Sequence, residues 1–265
     1  MNTAHYPITA LAPTVAALLG LPAPSRSTTT RVSEVIDELK QAARVAVLAP
    51  DALGHYPFTR WRGEMSFLSS LHARRSLLLR AIMPSITPVN FSAMVTGAEL
   101  GVHGIQRFTD DFQCETLFDV VRAHGGQDAR SGQSAGVGQR GYTGAELLGR
   151  NADLWGKAES NTDDEVMEIA LRFAHERQPQ FLIVQLGSTD DVFHKHGPSS
   201  PEVLPVLRDT DARLERMVAE LTGLGYAVLV TADHGQHDKD GGGGTHGSDV
   251  DEDTLVPLTW VGPRV

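Results

Sequence analysis

Five apolar runs without a polar face constrain this chain most. They are residues 44–50 (RVAVLAP), 76–83 (SLLLRAIM), 181–187 (FLIVQLG), 226–232 (YAVLVTA) and 255–261 (LVPLTWV). A strand with one wet face alternates apolar and polar residues, whereas a run that is apolar throughout must be covered on both sides. Amphipathic helical patterns lie between these runs, at 32–43, 115–124, 163–177 and 201–224. Strands of this kind alternating with helices predict an α/β fold, a mainly parallel central sheet sandwiched by helices. No composition shift marks a boundary, so one domain spanning 1–265 is expected. Residues 131–141, rich in Gly, Ser and Gln, read as a loop or an irregular edge. The four-glycine run 241–244 reads as a flexible surface loop.

A mainly parallel sheet places its ligands beyond the carboxyl ends of its strands. Asp51 follows the first run directly. Thr87 follows the second, Asp190 and His194 the third, and Asp233 and His234 the fourth, with His246 a little further on. Five of the eleven histidines fall between residues 190 and 250, so they are clustered rather than scattered. Asp and His together suit a divalent cation such as zinc or manganese. Asp190 and His194 are four apart, which puts both on one face of a helical turn. Each piece alone has a plainer reading: a helix cap for a strand-end Asp, a surface pair for Asp190 and His194, a turn for Asp233-His234-Gly235. Thr87 followed by Pro88 also reads simply as a capped helix start. A helix N-terminus attracts anions as well, and a hydroxyl held there beside a dication can become a nucleophile.

Composition removes several alternatives. The net charge is −10, without the basic footprint of a nucleic-acid duplex binder or of a protein drawn to anionic membranes. One cysteine, Cys114, excludes an internal disulfide and a Cys-based zinc cluster. No run reaches the roughly 18 apolar residues of a membrane span. The first twenty residues lack the Lys/Arg-rich start of a secretory signal, so a cytoplasmic location is expected.

Pro84-Ser85-Ile86-Thr87-Pro88-Val89-Asn90, running on through Met94-Val95-Thr96-Gly97 to His103-Gly104-Ile105, resembles the alkaline phosphatase superfamily, and particularly its nucleotide pyrophosphatase/phosphodiesterase-like branch. There the nucleophilic Thr precedes an Asn by three residues and a Thr-Gly pair by nine and ten, as Thr87 does here. Residues 190–198 resemble the family's Asp-x-x-x-His-x-x-Gly-Pro. Asp233-His234-Gly235 resembles its Asp-His-Gly step. Thr245-His246-Gly247 with Val256-Pro257-Leu258 resembles its last metal histidine and the strand after it.

The resemblance implies two divalent cations, Zn2+ or alternatively Mn2+, one on Asp51, Thr87, Asp233 and His234 and the other on Asp190, His194 and His246. It implies phosphoric ester hydrolysis through a phosphothreonine on Thr87, with Asn90 either binding a phosphoryl oxygen or buttressing its loop. The partner would be a small phosphate ester. Phosphomonoesterase, phosphonate hydrolase, phosphotransfer mutase and a non-catalytic metal-binding relative remain alternatives on the same residues. Three departures stand out. Gln106-Arg107-Phe108 occupies the region where the diesterase branch has a phosphoryl-binding Asn. There is little room for a mutase cap. Residues 8–22 resemble a segment that the superfamily usually carries at its C-terminus, so a circularly permuted order is hypothesised. Sulfatases fit less well, because Thr87 cannot yield a formylglycine.

Overall fold

The computed structural model describes residues 5–124, 132–139 and 144–264. Its strands are β1 (Tyr6–Pro7), β2 (Arg44–Pro50), β3 (Leu77–Arg80), β4 (Ser134–Gln139), β5 (Leu154–Ala158), β6 (Phe181–Leu186), β7 (Tyr226–Thr231), β8 (His237–Asp238), β9 (Gly244–Thr245) and β10 (Leu255–Val261). Eight of them form one sheet in the order β1-β3-β10-β7-β2-β6-β4-β5. Every neighbouring pair is parallel except the two made by β10, which runs antiparallel to both β3 and β7. Crossing β10 reverses direction twice, so β3, β7, β2 and β6 all point their carboxyl ends to the same edge of the sheet.

The apolar runs explain the middle of this sheet. Residues 45–50 of β2 and all of β6 and β7 are buried, with Val45, Val47, Ile183, Val184 and Leu229 fully so. Such strands survive only between two helical layers. On one side α9 (Asp163–Glu176) and α11 (Leu204–Gly223) pack on the sheet and on each other; on the other, α5 (Thr87–Thr96) packs against α1 (Leu11–Leu18), α7 (Leu117–His124) and α8 (Gly144–Gly149). The apolar core is continuous from Ile8 to Trp260. Among the described residues no helix is long and apolar enough to cross a membrane.

The five expected strands and four expected helices are all present, with ends trimmed by a few residues. The reading of 131–141 needs correction: Ser131, Arg140 and Gly141 lie outside the described residues, but β4 is a buried interior strand between β6 and β5. Its small residues are what permits this. A Cβ on Gly136 would stand 3.1 Å from Leu148 Cβ of α8, so helix and strand approach more closely than a larger residue allows. The glycine run is not featureless either. Gly241, Gly242 and Gly243 take φ of 89°, 103° and 74° and turn a short hairpin that pairs His237 with Thr245. Three successive residues in that region favour glycine at each.

The permuted order turns on the placement of Met1 and Val265, which lie outside the described residues. His5 bonds Leu78 in the row of Pro257, and β1 and β10 run in opposite directions. His5, just before β1, and Gly262, just after β10, therefore lie at the same end of the sheet.

Candidate metal centre and nucleophile

β7, β2 and β6 are adjacent and parallel, with neighbouring strands about 4.8 Å apart. Their carboxyl ends bring Asp233, Asp51 and Asp190 together. Asp51 follows β2 directly, Asp233 lies two residues beyond β7, and Asp190 sits in the first turn of α10 (Ser188–His196) after β6. The expected helical turn is present, and Asp190 Oδ2 lies 3.3 Å from His194 Nε2.

All seven expected ligand residues converge. Asp51, Asp233 and His234 offer donor atoms within 4.8 Å of one another, and so do Asp190, His194 and His246. The groups adjoin: the rings of His234 and His246 stack with centroids 4.0 Å apart, and His246 Nε2 is 3.2 Å from His194 Nε2. Thr87 is the first residue of α5, with Ile86 at the extended N-cap position, so Thr87 is not the cap itself. Its hydroxyl stands 3.1 Å from His234 Nε2.

Two observations show that these donors suit metal cations. First, Asp51 Oδ1, Asp190 Oδ1 and Asp233 Oδ2 are buried with no hydrogen-bond partner. Buried carboxylate oxygens left in this way are costly unless something positive meets them. Second, each histidine turns Nδ1 to a backbone carbonyl: His234 to Gly235 at 3.0 Å, His246 to Ser85 at 2.9 Å and His194 to Gly244 at 3.2 Å. A ring that donates from Nδ1 carries its lone pair on Nε2, and all three Nε2 atoms face the carboxylates.

The electrostatics agree. Burial, reinforced by Asp233 and Asp190, drives the Asp51 carboxyl well above its usual range, and burial raises Asp233. Burial acts on Asp190 too, but its histidine neighbours His194, His234 and His246 hold it below its usual range. Burial, with His234 beside it, pushes His246 down to about 4. This is a site that protons or cations must neutralise.

Several residues that the sequence did not single out hold these ligands. The Gln185 amide of β6 donates to Asp51 Oδ2, leaving Oδ1 for the cluster, and the Thr189 hydroxyl donates to the Asp51 carbonyl at 2.6 Å. Asp163 accepts from the backbone N–H of Gly187 and Ser188 at 2.8 and 3.2 Å and from Gln139 Nε2 at 2.8 Å, pinning the start of α10. One signal was readable: Gln185 is the lone polar side chain within FLIVQL.

Asn90 requires a correction as a substrate-binding residue. It is fully buried; Oδ1 accepts from Ile82 N at 2.8 Å, and Nδ2 donates to Ile82 O at 3.2 Å and toward the Pro84 and Ile86 carbonyls. Its polar atoms all serve the loop before Thr87, so the buttressing alternative holds. Thr96 also works locally, donating to Ser92 O and accepting from Ala98 N at the end of α5. A cavity of about 350 Å³ opens over the cluster, walled by Ile86, Pro88 and Phe108, with Gln106 and Arg107 at one side.

The fold and the site define an α/β protein of alkaline phosphatase-like architecture with a threonine beside two clusters of Asp and His. A family model described as type I phosphodiesterase / nucleotide pyrophosphatase matches residues 45–115 and 139–248, which include Thr87 and all of the clustered ligands. The chain belongs to this family. Phosphonoacetate hydrolase from Sinorhizobium meliloti 1021, solved with phosphonoformate, superposes with a TM-score of 0.59 at 20% identity over 75% of this chain and 57% of that one. An inactive threonine-to-alanine variant of murine ectonucleotide pyrophosphatase / phosphodiesterase 5, solved with AMP, gives 0.58 at 16% identity over 74% and 58%. A 2-O GAG sulfatase gives 0.64 at 12% identity over 84% and 65%. At these identities the structures establish the common fold. The chain spans less than two thirds of each of these relatives. No curated protein matches it in sequence.

Proposed function

We propose that the protein is a phosphoric ester hydrolase of the phosphodiesterase/nucleotide pyrophosphatase type that uses two divalent cations and Thr87 as its nucleophile. The observation that carries this is the placement of the Thr87 hydroxyl, 3.1 Å from His234 Nε2 of one three-ligand cluster, with the other cluster adjoining it and a cavity over both. Asp51, Asp233 and His234 would hold one cation with Thr87, and Asp190, His194 and His246 the other. Zn2+ suits this donor set, and Mn2+ accepts it too. When bound, the pair supplies Lewis acidity that lowers the pKa of an oxygen nucleophile and neutralises charge on the attacking and leaving oxygens.

The chain's own residues do the rest. Thr87 sits in the first turn of α5, where free backbone N–H groups and the helix dipole favour an anionic phosphoryl group. Its Oγ attacks phosphorus in line with the leaving oxygen and gives a phosphothreonine, which water then hydrolyses. Asn90 keeps the preceding loop in place, and Gln185 fixes Asp51 by one oxygen. Ile86, Pro88 and Phe108 give the leaving group an apolar wall, and the cavity's size supports a small ester. Among the described residues Arg107, itself paired with Asp110, is the one Lys or Arg lining that cavity, and a shift of its guanidinium toward the site would favour monoesters, with their extra negative charge, as a second reading.

The test is initial rates on matched aryl phosphate monoesters and diesters with added Zn2+ or Mn2+, for the wild type and Thr87→Ala. A diester rate that is the faster and vanishes in the variant supports the proposal. A faster, equally Thr87-dependent monoester rate shifts it to a phosphatase. Turnover that survives in Thr87→Ala refutes it, as does the absence of a phosphoryl adduct on Thr87 in acid-quenched protein read by mass spectrometry.

A further inference from the structure

One contact at the site conflicts with the rest. Among the described residues, His194 is the one of the three histidines whose Nδ1 meets a side chain as well as a backbone carbonyl. Gln236 Nε2 stands 3.0 Å from it, while Gly244 O is 3.2 Å away. The carbonyl requires a proton on Nδ1, and so does coordination through Nε2, which lies 3.3 Å from Asp190 Oδ2 and 3.2 Å from His246 Nε2. An amide N–H aimed at a ring N–H is then donor against donor. Meanwhile Gln236 is fully buried and its Oε1 has no hydrogen-bond partner, so no bond to that oxygen holds the amide as it stands.

A half-turn of the amide exchanges donor for acceptor in the same volume. Oε1 then accepts the Nδ1 proton beside the Gly244 carbonyl. In the other orientation Nε2 donates to a bare Nδ1, the ring proton moves to Nε2, and Nε2–H faces Asp190 rather than a cation. Among uncharged side chains of this size only an amide serves both tautomers.

We infer that Gln236 is a positioning residue for the cation site on Asp190, His194 and His246: its Oε1 accepts the Nδ1 proton of His194 and keeps Nε2 free to coordinate. The inference rests on the two-cation reading above. It assigns Gln236 a role in setting the ring tautomer that packing alone does not require. Among the described residues the Nδ1 atoms of His234 and His246 each meet a backbone carbonyl alone, which leaves their tautomers without a conflict. Two sites therefore differ in how their histidines are held, and a change at Gln236 should act on one of them.

The experiment compares wild type, Gln236→Leu and Gln236→Glu for Zn2+ alone, by competition with a chromogenic chelator, and reads His194 tautomers by long-range 1H–15N NMR. Melting temperatures of the cation-free proteins check the fold. Gln236→Leu keeps the volume and removes the acceptor. It should weaken the weaker or the tighter of two Zn2+ affinities, but only one, by about 10–100-fold. It should also shift the His194 signals of the Zn2+-free protein toward a tautomer mixture. Gln236→Glu keeps an acceptor and should retain the wild-type affinity within a few-fold. Unchanged affinities in Gln236→Leu overturn the inference and leave the two-cation reading intact. An equal loss at both sites, or a loss in Gln236→Glu as large as in Gln236→Leu, also overturns it. A wild type that binds no Zn2+ overturns the two-cation reading and this inference with it.

Discussion

Asp251, Glu252 and Asp253 form one short acidic turn before β10, and the structure gives them very different work. Asp253 is fully buried. Its Oδ1 lies 2.7 Å from His237 Nδ1, its Oδ2 accepts from Ser248 N at 3.0 Å, and its carbonyl accepts from Gly235 N at 2.7 Å. It therefore ties the segment after His234 to the segment after His246. Asp251 pairs with Arg80 at 2.9 Å, with both side chains about half exposed. Substituting each by Ala removes one carboxylate from the same turn. Hydrogen bonds to a charged group contribute about 1.5–3 kcal/mol each, but His237 and Ser248 reach water and recover part of the loss. About 3 kcal/mol is expected for Asp253→Ala. The exposed Asp251 pair contributes about 0.2–1 kcal/mol. At about 2–4 °C per kcal/mol for a chain near this size, Asp253→Ala should lower the melting temperature by about 6–12 °C. By the same scale Asp251→Ala should cost about 4 °C or less. Differential scanning calorimetry of the cation-free variants measures both. Melting temperatures that coincide would refute the claim that burial and bonding, rather than charge in this turn, decide the difference.

Two further outcomes follow from the same accounting. Asn90→Ala leaves Ile82 N without its acceptor, so it should destabilise the protein by about 1–3 kcal/mol in urea titrations without any substrate; a variant of wild-type stability would return Asn90 to substrate binding. His72, packed on Phe58 with ring centroids 4.4 Å apart, is pushed by burial from its usual 6.5 down to about 4. As pH falls, the unfolded chain takes up that proton first, so stability drains away between about 6.5 and 4; His72→Phe should lose on the order of 2 kcal/mol less over that window, and identical pH profiles of the two proteins would contradict this.

What could be read from the sequence and what could not separates by the kind of residue. Asp51, Asp190 and Asp233 were visible because parallel strands deliver their carboxyl ends to one edge, and β2, β6 and β7 are apolar enough to be recognised. His194 followed from helical spacing and His246 from the family pattern. β4 was hidden because glycine and serine, which read as loop, are what let α8 approach it. β1 is two residues long, and β5 carries Gly156 and Lys157 on an edge, so neither has an apolar signature. The amides are the instructive omission. Aspartate and histidine announce their chemistry wherever they stand, since one is an acceptor with charge and the other a ligand. Gln139, Gln185 and Gln236 are donors or acceptors according to the group opposite, and the group opposite Gln185 is Asp51, 134 residues earlier in the chain. Asn90 shows the same ambiguity at short range: its spacing from Thr87 was visible, but whether its amide faced substrate or loop depended on Ile82 and the turn between them. Pattern therefore locates the charges of a site like this, while the uncharged groups that aim those charges become legible only when the fold supplies their partners.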